Sequence, residues 1–165
     1  MKHISERGQS LVELGVSLVI LLYLLSGAAE FGILFFQFVQ LRDAAQEGAL
    51  YGSSAIPSTG PTSATWNAIE TRARDASNSP VDLSLAAGEV DVAIFVDDVK
   101  VWENGALVGS TAVACEGHGI RVTAEYDHDL FMPFMPQILN REFIPLSATV
   151  VDTILVPQAC IASVP

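Results

Sequence analysis

No charged residue interrupts the chain between Leu14 and Ala29, and none of its eight prolines comes before position 57. Both absences favour one long helix at the N-terminus, because neither a desolvated charge nor a missing backbone N–H breaks it. Basic residues are scarce: Lys and Arg total 8 against 19 Asp and Glu, for a net charge of −11. Nucleic acid and anionic lipid headgroups both call for a basic surface, so neither is an expected partner of the acidic part. Cysteine is nearly missing, with only Cys115 and Cys160. Gly-x-Ser-x-Gly, His-Glu-x-x-His, Walker and Gly-x-Gly-x-x-Gly signatures are all absent, and nothing marks an enzyme or a cofactor site.

What is present begins with the apolar run itself. At about 1.5 Å per residue, a helix from Leu11 to Val39 reaches about 40 Å, enough to span a membrane. Lys2 and Arg7 precede it, which by the positive-inside rule keeps the N-terminus cytoplasmic and sends the C-terminal domain across the inner membrane. Residues 1–40 carry those two cations against Glu6, Glu13 and Glu30, so nearly all of the negative charge lies beyond them. Glu13 lies near the start of the apolar run, where an ionised carboxylate costs about 2.5–3.5 kcal/mol and calls for a functional reason. Glu30 marks the expected outer membrane boundary.

Past the lipid the helix changes face. Phe38, Leu41, Ala45, Gly48 and Gly52 recur at helical spacing, opposite Gln40, Asp43, Gln46 and Glu47, so this half is expected to pack on the following domain. Gly52 reads as its C-cap. After a Pro/Gly/Ser/Thr-rich connector, Trp66–Ala76 reads as a short helix with Glu70 and Arg74 paired one turn apart. From Val90 the period becomes two. Strands are expected over Val90–Val96, at Val99–Trp102 and Ala106–Val108 about an Asn104-Gly105 turn, over Ile120–Asp127, and over Leu146–Val156. Phe131–Pro136, broken by proline, reads as a loop or a single turn. The order is α+β: a membrane-spanning helix, a short helix, then a small antiparallel sheet. The expected divisions are a leader at 1–8, a membrane and packing helix at 9–52, and an extracytoplasmic head at 53–165.

Side-chain clusters in the head are weak as sites. Cys115, His118 and His128 lack the paired spacing of zinc motifs, and His128 falls on the apolar face of its strand. Asp97-Asp98 and Asp127-x-Asp129 lack the glycine turn and distal glutamate of a calcium loop, and read as strand ends. On the outer side of the membrane a disulfide between Cys115 and Cys160 is permitted, worth about 4 kcal/mol for a loop of that size; two buried thiols are the alternative.

Glu6-Arg7-Gly8-Gln9-Ser10-Leu11-Val12-Glu13 also reads as a processing site. Cutting after Gly8 leaves Gln9 as the new amino terminus, one helical turn from Glu13. The stretch resembles the class III signal sequence of type IV pilins and pseudopilins. Within that group the chain resembles TadE-like proteins of the tight-adherence (Tad) pilus system. The likeness rests on that motif, on Glu30-Phe31-Gly32 and on Arg42–Tyr51, with a fainter likeness at Val122–Tyr126. It implies cleavage by a prepilin peptidase at Gly8–Gln9, an intersubunit role for Glu13, and other pilins and a pilus assembly platform as partners. Gln9 stands where many type IV pilins carry phenylalanine, so N-methylation is not implied. The head exceeds that of small major pilins, which favours a minor pilin or pseudopilin. Two other readings remain at this point. One is an unprocessed bitopic protein whose outer domain binds a ligand or partner. The other is a secreted domain released after Gly27-Ala28-Ala29 by an ordinary signal peptidase.

Overall fold

A computed structural model of the chain describes residues 6–57, 60–84, 89–108, 114–133 and 135–155. Its first element is a 50-residue helix, α1, Glu6–Ala55. The helix stops just before Ile56-Pro57, as the restriction on a residue preceding proline requires. Gly52 is therefore not the C-cap: the helix runs three residues past it. Its reason is packing. A Cβ at position 52 would lie 2.5 Å from Ile120 Cδ1, and one at Gly48 would lie 3.0 Å from Ala73 Cβ. Both glycines bring the helix backbone close to its neighbours.

α2 spans Ser63–Arg74, beginning three residues before the sequence expectation. Thr62 and Thr65 explain the earlier start. Each side chain meets the other's backbone N–H in a reciprocal cap, which satisfies donors that a helix end leaves unpaired. Trp66, Ile69 and Ala73 face the core as expected, whereas Ala76 lies past the end and is exposed.

Five antiparallel strands follow: β1 Val90–Val96, β2 Val99–Glu103, β3 Ala106–Leu107, β4 Gly119–Asp129 and β5 Phe143–Thr153, in the order β3-β2-β1-β4-β5. Both hairpin turns take left-handed backbone, at Asp97-Asp98 and at Asn104-Gly105. The latter was legible from its dipeptide. β4 and β5 pair along their whole length, from Gly119 opposite Thr153 to Asp129 opposite Phe143. β5 starts earlier than expected despite Pro145. It is an edge strand, where a residue without an N–H costs no ladder bond. The segment before it holds one short helix, α3, Met135–Leu139.

The chain is thus α+β. Val90, Val92, Ile94 and Val96 of β1 and Ile120, Val122 and Ala124 of β4 line the inner sheet face. Leu41, Ala44, Ala45 and Ala49 of α1, together with α2, close over it. Phe38, expected in this stripe, is 39 % exposed, whereas Leu41 turns inward as expected and Gln40, expected on the opposite face, is buried beside it with Gln37.

Candidate anchoring and assembly helix

α1 is two surfaces on one rod. From Gly8 to Leu22 every residue is exposed, including Leu11, Val12, Leu14, Val16, Leu18 and Ile20. α1 is the candidate membrane span among the described residues, over Gly8–Ala55: an 18-residue window in it has a mean hydropathy of 2.2 and is 6 % buried. A helix so apolar and so uncovered fits a single-pass membrane protein.

Gly8 and Gln9 lie in the first turns of α1, both exposed, and an added Cβ at Gly8 would meet nothing. Glu13, one turn on from Gln9, is exposed too, and no described residue pairs with it. A carboxylate on an apolar, uncovered helix is costly in lipid without a partner, and the described residues supply none.

Glu30 has a different environment from an exposed boundary residue. It is 4 % exposed and lies under the head. Oε2 accepts the N–H of Met132 at 2.9 Å, and Oε1 accepts the N–H of Phe131 at 3.2 Å and approaches His128 Nε2 at 3.3 Å. Two turns below, the Tyr23 hydroxyl donates to the Pro133 carbonyl, and Gly27 faces the Met132 side chain. One helix face therefore holds the loop after β4 at three successive levels. A buried carboxylate needs such donors, since an unpaired one costs several kcal/mol. The sequence signal for this contact was His128 on an apolar strand face, which requires a buried polar partner.

Further up, Gln40 fixes the segment after α2. Its side-chain amide donates to the Val81 carbonyl at 2.7 Å and accepts the Val81 N–H at 2.8 Å. Glu70 joins α2 to the β2–β3 hairpin. One oxygen binds Arg74 Nε at 2.7 Å, confirming the expected pair; the other accepts Trp102 Nε1 at 2.6 Å and the Gly105 N–H at 2.8 Å. Asn104 extends the network, accepting the Val92 N–H and donating to Asp91. Exposed Arg72 and half-buried Glu47 pair between α2 and α1 at 2.6 Å.

Asp97 and Asp98 are paired within the head. Asp97 accepts the Gly119 N–H and meets His118, and Asp98 pairs with Arg121. No three His, Cys, Asp or Glu side chains among the described residues are grouped to hold a metal. Cys115 is disulfide-bonded and buried; Cys160 lies outside the described residues.

This long helix, apolar below and clamped to a small sheet above, carries the motifs noted in the sequence. Residues 8–50 match the family model of TadE-like protein. The TadE-like match starts at Gly8 and includes Glu13 and Glu30, the stretch on which the resemblance was read. It ends within α1, so the head lies outside it. No curated protein and no solved structure matches the chain.

Proposed function

We propose that the chain is a TadE-like minor pilin or pseudopilin, a structural component of the Tad pilus assembly system with no enzymatic role. The observation that carries this reading is the family match from Gly8 onward, on a helix uncovered from Gly8 to Leu22. In the proposal, residues 1–8 are a leader, and α1 inserts in the cytoplasmic membrane with its N-terminus inside. The head, residues 53–165, faces outward. A prepilin peptidase cuts between Gly8 and Gln9, leaving an amine on the helix face that carries Glu13.

The chemistry of assembly follows from that cut. An amine and a carboxylate near the end of an apolar rod are each costly to desolvate alone. They compensate when the carboxylate of one subunit meets the amine of another, and removing one partner of such a buried pair costs about 3–5 kcal/mol. Glu13 in this reading sets the register of helix against helix, other pilins and the assembly platform being the partners. The head then supplies the surface that reaches solvent or neighbouring pilins.

Replacing Gly8 with tryptophan tests the processing step in cells that carry the peptidase. The variant is expected to keep its leader and to drop out of assembled filaments. Normal maturation and assembly of Gly8→Trp would refute the proposal.

A further inference from the structure

The head has an apolar underside that the fold leaves uncovered. Phe131, Ile138, Leu139 and Phe143, on the segment between β4 and β5, are 46–68 % exposed. α3, which carries two of them, buries no residue at all. The only charges between Asp129 and Phe143 are Arg141 and Glu142, which cancel, whereas the rest of the head is strongly acidic. Scattered exposed apolar residues need no explanation, but four together on one short segment do.

Their height on the helix supplies one. Tyr23, Gly27 and Glu30 hold Pro133, Met132 and Phe131, so the start of this segment is fixed at the level of residues 23–30 of α1. Those residues close the charge-free stretch that begins at Leu14, and seven helical residues rise about 10 Å. Apolar faces of interfacial elements bury about 5–10 Å into the boundary between headgroups and acyl chains, and tyrosine is enriched at that depth. With the span of α1 ending near Glu30, residues 131–133 lie at the depth of the outer leaflet, and α3 follows directly from them.

We propose that Phe131, Ile138, Leu139 and Phe143 form the sole of a foot that dips into the outer leaflet, with a lipid surface as its partner. The inference rests on α1 being membrane-spanning. Glu30 has a part in it, since its bonds to Phe131 and Met132 set the foot's depth and keep that carboxylate out of lipid. Burial is apolar rather than electrostatic, so uncharged lipid suffices and added salt has no effect.

The full chain, reconstituted in phosphatidylcholine vesicles, provides the test. A polarity-sensitive fluorophore is placed at Ile138→Cys, at Leu18→Cys within the span, and at Asn67→Cys on the exposed side of α2, without reductant so that the native disulfide stays closed. Quenching is read with nitroxide lipids labelled near the top of the acyl chain and with aqueous iodide. The Ile138 label is expected to be quenched severalfold more strongly by lipid, and severalfold less by iodide, than the Asn67 label. An Ile138 label that behaves like the Asn67 label overturns the foot. So does an Ile138 label shielded from iodide without lipid quenching, which points to a protein partner or second copy. Lipid quenching at Leu18 in either case leaves the membrane span standing; its absence at both Leu18 and Ile138 removes the span and the foot together.

Discussion

The Glu30 carboxylate accepts the backbone N–H of Met132 at 2.9 Å, tying the middle of α1 to a loop 102 positions further along the chain. With the Phe131 N–H and His128 on its other oxygen, it fastens head to helix through a buried carboxylate, two turns above the Tyr23–Pro133 bond.

Replacing Glu30 with alanine orphans two backbone donors and a buried imidazole, each worth about 1–3 kcal/mol when left unsatisfied. The expected effect is local. The Met132 amide should exchange with solvent at least about tenfold faster in Glu30→Ala, the equivalent of about 1.4 kcal/mol, while amides in β1 and β4 keep their protection. Unchanged exchange at Met132 would mean that the fastening is not energetically significant.

Glu70 is a buried hub shared by Arg74, Trp102 and Gly105. Glu70→Ala takes the carboxylate from Arg74 and leaves the indole and one amide unpaired, a loss of about 3–5 kcal/mol for a broken buried pair. Denaturant unfolding of the full chain in detergent, followed by tryptophan fluorescence, checks this. Glu70→Gln, which keeps one acceptor, should fall between alanine and the native residue.

At Gly52 a side chain would run into Ile120 and Ile69, while nothing lies near Gly32. Gly52→Val is expected to cost about 1–3 kcal/mol by overpacking, and Gly32→Ala to cost nothing. Thermal unfolding of the two variants side by side distinguishes close approach from a general intolerance of substitution in α1.

The phenol of Tyr126 is pushed above its ordinary value of 10.0 by burial, and further by Asp129 and Glu89. Folding therefore favours its protonated form. That contribution is complete below the unfolded value and is lost as pH rises through the folded one. Above pH 10 the native chain should lose stability faster than Tyr126→Phe, as measured by denaturant midpoints across the alkaline range.

The long helix, the short helix and the strands were legible because each has a period that chemistry imposes. The Asn104-Gly105 turn and the Glu70–Arg74 pair were legible for the same local reason. The pairings of Glu30 and Gln40 were not: His128 on an apolar strand face signals a buried polar partner without naming it, and the other partners are backbone groups of residues 131, 132 and 81, which no side-chain pattern announces. Gly52 was misread as a cap for a similar reason: the cause of its glycine is Ile120, on a strand that only the fold brings near. Glu13 is the opposite case. Its oddity was visible in the sequence, and no described residue accounts for it.

Mass spectrometry of the N-terminal peptide, on protein taken from its own cells, tests the proposed function most directly. A mature chain beginning at Gln9 is the expected result, and it places a free amine one turn from Glu13. A chain that still begins at Met1 would contradict it and leave an unprocessed membrane protein.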